Sequence, residues 1–432
     1  MATTYLSRTT VTSGASNTTW TWSGWFKRAS LGTGDVLFSA YGDAENYMQA
    51  RFDQDNLQFR LLVSNAWAAR KYTNRKFKDV SAWYHVVIVW DTTNGVADDR
   101  MRIYTNGVRE TSFGTSLNPG SSLAGDINSA GDIQIGALNG ANFYNGSMSY
   151  VTFTDGTAYD ASYFGQTDSD TGEWTINTSP SVTYGTNGFF ILKDGNSVTD
   201  QSGEGNNLTV TAGTLTATED CPDDVFCTFN PLNNKLSNIP TFINGNTTIN
   251  GSSASWQPTS GTLAAKPNLG KFYWEYSQFV SDQIFVGLMA SKADFTISTP
   301  YSATGAMTYF YTGRLTVDGT ETESYFTAIS STTDVVGVAL DMTAGTYGEA
   351  QFYLNGSTTG AAVALTSNFA DQFVMPFAIV NGTGRYVSIN TGNGYFATTI
   401  ISSEGTNASD IGKFEYDVPT GYTALSTKGL NA

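Results

Sequence analysis

Apolar and polar residues alternate with a period of two through much of this 432-residue chain. In "TWTWSGWF", Trp20 and Trp22 fall on one side of an extended segment, and Thr19, Thr21 and Ser23 fall on the other. That is the pattern of a half-buried strand. In "WYHVVIVWD" (83–91), Tyr84, Val86, Ile88 and Trp90 form a wholly apolar set that faces a core. Trp83, His85, Val87, Val89 and Asp91 share the opposite face. A sandwich strand normally keeps one face wet, so Val87 and Val89 are expected to be covered, by the second half of the chain, by a loop or by another subunit.

Further strands are predicted over 19–28, 36–40, 47–53, 57–63, 102–107, 132–137, 147–156 and 187–194. In the second half they fall at 272–279, 284–290, 307–311, 335–341, 350–356, 373–380 and 386–390, with "ADFTIS" (293–298) ambiguous. Long helical periodicity is absent. The fold class is all-β, two tandem antiparallel β-sandwiches of jelly-roll type.

The chain echoes itself once. "VVIVWD" (86–91) is followed by "RIYTNG" (102–107), and "VVGVALD" (335–341) by "AQFYLNG" (350–356). Each pair reads as a buried strand ending in Asp, then a strand ending in Asn-Gly, a strong hairpin signal. The first sandwich is placed at 1–212 and the second at 236–432. Residues 213–235, with Pro222, Pro231 and an acidic cluster, read as a connector.

Composition agrees with strands and turns. There are 44 Gly, 23 Tyr and 26 Phe, and 14% of residues are charged. The net charge of −16 disfavours a phosphate-neutralising surface, so nucleic acid is not an expected partner. The densest basic stretch, "ARKYTNRKFK" (69–78), reads as a solvated strand–turn face. No apolar run is long enough to cross a membrane as a helix. The N-terminal stretch has no apolar core of a secretory signal. Cys221 and Cys227 are too few for a disulfide framework, and whether they pair is open.

His85 is the only histidine. General-base chemistry needs a partner within reach, and no local motif supplies one, so a structural role is expected. A retaining glycosidase would need two carboxylates about 5–5.5 Å apart. In "FEYDVPT", Glu415 and Asp417 fit the start of the usual E-x-D-x-x-E pattern, but Thr420 stands where the second Glu belongs. The chain is therefore read as non-enzymatic.

The stretches "WTWSGWFKR", "WYHVVIVWD", "IYTNG" and "GDIQIGALNGANFYNGSMSYVTFTDG" resemble a laminin G-like, or concanavalin A-like, domain. "GKFYWEY", "FVGLM", "DVVGVALDMTAGTYGEAQFYLNG" and "MPFAIVNGTGRYVSINTGNGYF" resemble a SPRY domain. "TEDCPDDVFCTFNPLNN" and "FEYDVPTGYTALSTKGLNA" are similar to segments of marine bacteriophage virion proteins, notably tail-fibre-like ones.

The resemblance implies a non-enzymatic receptor-binding adhesin of the virion surface, assembled in the host cytoplasm. It would recognise a host-surface glycan or protein and contact other virion subunits, as a homo-oligomer. The alternative is a capsid decoration or head–tail accessory protein. No cofactor is required. Calcium at a loop rim is the one such ligand the resemblance suggests, with Asp126, Asn128 and Asp132 as candidates; the plainer reading of those residues is an Asp/Asn-rich turn. For the SPRY-like half, the resemblance points to loops at one end of the sandwich, where Tyr301 and Tyr311 are candidate stacking residues.

Overall fold

The computed structural model describes residues 3–10, 14, 16–32, 34–193, 197–233, 239–279, 283–401 and 403–432. Two compact units divide the chain, Met1–Leu215 and Thr216–Ala432. Both are antiparallel β-sandwiches.

In the first unit the larger sheet has eight strands. Their order is Phe113–Leu117, Ala66–Thr73, Asn56–Val63, Asn46–Asp53, Asp35–Asp43, Gly131–Ile135, Tyr5–Thr10 and Thr209–Ala212. The facing sheet runs Phe189–Ile191, Gly146–Asp155, Thr19–Arg28, Trp83–Asp91, Met101–Thr105, Val108–Arg109. Trp20, Trp22, Val86, Ile88 and Trp90 point inward, as their alternation predicts, and meet Phe38, Phe52 and Phe59 of the larger sheet. Across the two layers, Trp22 stacks on Phe38 with ring centres 5.4 Å apart. Of the strand predicted at 187–194, Asp194 lies outside the described residues.

The second unit repeats the plan. A nine-stranded sheet centres on Lys271–Ser277 and Val336–Asp341. A six-stranded sheet runs Trp256–Ser260, Val374–Asn381, Ile284–Ala290, Ala306–Phe310, Leu315–Val317, Thr320–Thr322. The Tyr276 hydroxyl ties the layers: it donates to the Gly287 carbonyl at 2.8 Å and accepts from the Phe377 amide at 3.0 Å. The ambiguous segment 293–298 forms turns, and Ala293 and Phe295 are buried as a lid over the outer face of the six-stranded sheet.

Of the stretch 213–235 read as a connector, the described residues 213–233 are not free of the second unit. Phe226, Cys227 and Phe229 are buried in the second unit. The Val225 amide donates to Thr427 Oγ1 at 2.9 Å, and Phe226 bridges to Ser426. The apolar residues of "VFCTF" outweigh the prolines and acids beside them, because burying each is worth about 1.5–3 kcal/mol. Both cysteines are free thiols. Cys227 Sγ accepts from the Leu263 amide at 3.3 Å instead.

The sequence echo is a repeated piece of hydrogen bonding. Asn106 and Asn355 take left-handed φ values of 46° and 50°, followed by Gly107 and Gly356 at 78° and 77°. These are the two-residue hairpin turns that Asn-Gly favours. In each, the asparagine side chain reaches back to the neighbouring strand: the His85 amide donates to Asn106 Oδ1, and the Val335 amide donates to Asn355 Oδ1, both at 2.8 Å. Asn106→Ala or Asn355→Ala loses that acceptor and places a Cβ-limited residue at positive φ. Each is expected to cost about 1–2 kcal/mol, read as a lower unfolding midpoint of its own unit, with glycine at either position costing less.

Candidate functional site

The outer face of the His85 strand is covered from within its own unit. Val87 and Val89 are buried against Ala161 and Phe164, with Tyr104, Tyr159 and Trp174 around them. Of the three covers considered, a loop region is the one found, residues 157–184. Trp174 sits on the hairpin Gly165–Thr167 and Trp174–Ile176. A Cβ on Gly107 would lie 2.4 Å from its indole, so glycine is needed there for close approach as well as for the turn.

His85 is fully buried beneath that cover. The indole N–H of Trp174 donates to Nδ1 at 2.9 Å, and Nε2 lies 2.8 Å from Ser23 Oγ. An indole only donates, so Nδ1 carries no proton and Nε2 does. Trp25 stacks on the ring at 4.8 Å between centres, and Trp174 lies nearly parallel to it at 5.9 Å with its N–H edge toward Nδ1. Burial lowers the His85 pKa to about 3. Both nitrogens are engaged, and the ring is a buried spacer rather than a base.

Glu415 and Asp417 do not form a carboxylate pair facing an open cleft. Asp417 Oδ1 caps a turn, accepting from the Thr406 amide at 2.7 Å and its hydroxyl at 2.8 Å, which holds its carboxyl below the usual range. The Glu415 backbone amide instead donates to Glu275, an acid that sequence reading passed over. Glu275 is fully buried on the outer face of the central strand Lys271–Ser277. Its carboxyl accepts from the amides of Glu415 (2.9 Å) and Tyr416 (3.0 Å), from Asn390 Nδ2 (3.1 Å) and from the Tyr273 hydroxyl (3.3 Å). Burial pushes its pKa up to about 7 against those four donors. It fastens residues 414–418 to the sheet. A glutamate in the alternating "FYWEYS" was the available signal.

The three calcium candidates have separate surroundings. Asn128 is buried, and its amide donates to the Ser16 carbonyl at 2.8 Å and to Asp155 Oδ1, while its Oδ1 accepts from Asn187 Nδ2 at 3.0 Å. Asp132 is exposed on the strand Gly131–Ile135 and accepts from Thr9 Oγ1 at 2.6 Å. Burial, and then the charge of Asp43, raise the Asp126 carboxyl above its ordinary value. Among the described residues, no group of three His, Cys, Asp or Glu side chains is placed to hold a metal. Asp132 lies on the strand Gly131–Ile135, opposite Thr9.

Tyr301 and Tyr311 lie at the two ends of one aromatic row on the outer face of the six-stranded sheet. Tyr301 stacks on Phe285 at 4.3 Å, Phe285 on Phe310 at 4.2 Å, and Tyr311 meets Phe310 edge-on at 4.5 Å. The Arg314 guanidinium lies over Phe310 at 4.8 Å and bonds Glu321 at 2.9 Å. The row uses most of its ring faces internally. A shallow pocket elsewhere in this unit, about 90 Å³, is lined by Pro267, Met342, Tyr347 and Asp371 among others.

A different surface gathers half-buried aromatic and basic side chains, with Gln49 and Gln58 buried among them. On the larger sheet of the first unit, the core-facing residues Met48, Ala50, Phe52, Leu57, Phe59 and Leu61 alternate with an outward set. That set is Tyr47, Gln49 and Arg51 from one strand, Gln58 and Arg60 from the next, and Trp67, Arg70 and Tyr72 from the third. Arg60 lies over Trp67 at 5.1 Å and Tyr47 at 5.8 Å, and Arg70 over Trp67 at 5.7 Å. With its amide oriented to satisfy both partners, Gln49 accepts from Arg60 Nε and Nη2 at 3.1 and 3.0 Å.

The basic stretch 69–78 is thereby split, not uniformly solvated. Lys71 is buried and donates to the Met101 carbonyl at 2.8 Å, and Arg75 pairs with Glu110 at 2.6 Å. Arg70 and Tyr72 join the platform. Strand alternation separates neighbours that sequence shows side by side.

A family model described as the concanavalin A-like lectin/glucanases superfamily matches residues 2–162. The first unit thus carries a laminin G-like, concanavalin A-like domain. Among solved structures, the chain is similar to a human SPRY domain, at 16% identity over 33% of this chain and 91% of that one, with a TM-score of 0.28. It is similar to the heptameric SAP-like pentraxin of Limulus polyphemus, at 23% identity over 36% of this chain and 71% of that one, with a TM-score of 0.27. The SPRY domain of human HERC1 matches at 19% identity over 33% of this chain and 87% of that one, also with a TM-score of 0.27. No curated protein matches the chain.

Proposed function

We propose that this chain is a non-catalytic adhesin of a bacteriophage virion surface, and that the outer face of its larger N-terminal sheet holds a host-envelope glycan. The observation that carries the reading is the platform of Tyr47, Trp67 and Tyr72 with Arg51, Arg60 and Arg70, Arg60 being held by the buried Gln49. Sugars are recognised by aromatic faces for their apolar C–H surface and by amides and guanidinium groups for their hydroxyls. The concanavalin A-like match over residues 2–162 supports a binding module.

Reading the second unit as SPRY-like, and the whole as a virion part, rests on the motifs quoted above. Oligomerisation with other virion subunits would multiply weak sugar contacts. Calcium would tighten a loop rim without entering any chemical step.

The test is a glycan array probed with the intact chain and with Trp67→Ala. Trp67 is half-buried on the surface, so its loss is expected to cost about 1 kcal/mol of stability. Array signal should fall at least tenfold, and an unchanged signal would sink the site. Immunogold microscopy on virions locates the chain: tail or tail-tip label agrees with an adhesin, label over the head favours the decoration role, and no label removes the virion reading.

A further inference from the structure

We infer that the glycan held on this face is anionic, and that Arg60 and Arg70 clamp its charged groups. The inference rests on the glycan-binding reading of the same face and adds the ligand's chemical class. Arg60 and Arg70 are direct cross-strand partners, Arg51 sits diagonally beside Arg60, and all three point outward. Like charges directly opposite on a sheet destabilise it. Here the arrangement stands in a chain of net charge −16, where acidic partners are plentiful.

Among the described residues, Arg51 alone of the three pairs with an acid, Asp53. Arg60 is held by Gln49 and two rings, and Arg70 by Trp67. Neither contact neutralises a charge; both fix the guanidinium planes. A carboxylate or sulfate on a sugar supplies acceptors for the guanidinium forks, while the ring edge lies against Tyr47 and Trp67.

A nucleic acid fits less well. Its dense backbone charge extends well beyond three arginines, into an otherwise acidic surface, and the Debye length of about 8 Å at physiological salt confines the arginine field to the platform.

The experiment is affinity electrophoresis of the intact chain at about 0.15 M salt, through polygalacturonate, dextran sulfate, unmodified dextran and a single-stranded oligonucleotide. Wild type should bind one or both anionic polysaccharides, and the preference between them identifies carboxylate or sulfate as the recognised group. The double variant R60Q/R70Q should bind at least tenfold more weakly. Its unfolding midpoint should equal or exceed that of wild type, because the opposed charges are gone; this separates lost binding from lost folding. Equal binding to unmodified dextran, undiminished in the double variant, overturns the anionic assignment and leaves the glycan reading standing. Stronger retention by the oligonucleotide, or none by either anionic polysaccharide, also overturns it, and the array result then decides the glycan reading separately.

Discussion

Lowering the pH from 7 to 5 is expected to remove about 2 kcal/mol of stability from the N-terminal unit through His85 alone. The folded-state pKa is depressed to about 3 by burial, whereas the unfolded chain titrates near 6.5. The neutral ring is therefore favoured in the fold. Its contribution is present in full above the unfolded pKa, and it is lost as the pH falls from about 6.5 toward 3. At pH 5 the unfolded state already binds the proton and the folded state does not. The cause is burial, against Trp25 and beneath the cover that holds Trp174.

Because the chain has one histidine, its ring signal in NMR is unambiguous and should not titrate down to pH 4. A midpoint near 6 would show that the cover 157–184 opens readily. His85→Ala should remove this histidine's pH dependence. It should also cost about 3–5 kcal/mol at pH 7, from the cavity and the unpaired indole N–H.

The second unit is expected to drift the other way. Glu275 has a folded pKa of about 7, raised by burial above its ordinary value near 4.5. The protonated form is favoured in the fold. Its stabilisation is complete below about 4.5 and is lost as the pH rises through 7, a change of up to about 3 kcal/mol. Glu275→Gln has no proton to lose. Its NH2 group stands where the protonated acid carries its O–H, so at pH 5 the variant should fall close to wild type or somewhat below it. Its stability relative to wild type should then improve by up to about 3 kcal/mol between pH 5 and 8. Calorimetry of the intact chain checks both ideas at once, since each variant should move only its own unit's transition. A constant difference between Glu275→Gln and wild type across that pH range would sink the second.

The two buried groups were not equally legible. His85 could be placed off the core face from alternation alone, because period-two patterning reports the face of a strand directly. What lay over that face could not be read. The cover comes from residues 157–184, a stretch without strong periodicity, and Trp174 reaches back 89 residues to bond His85. Glu275 was missed because its partners, the amides of Glu415 and Tyr416, are 140 and 141 residues away. Two short strands at one end of the larger sheet, the penultimate Tyr5–Thr10 and the edge strand Thr209–Ala212, were likewise invisible, since few residues carry their pattern and the pairing between them supplies the rest.

By itself the sequence determined the all-β class, most central strands, the inward tryptophans and the two Asn-Gly hairpins. All of these are local: they follow from side-chain period and from the positive φ that Asn and Gly accept. Only the tertiary structure decided register. Register set Arg60 opposite Arg70, laid both over Trp67, joined Val225–Phe229 to the second core and shut His85 beneath Trp174. The reason is that pairing between distant strands is chosen by the packing of whole faces, and no single segment carries that information.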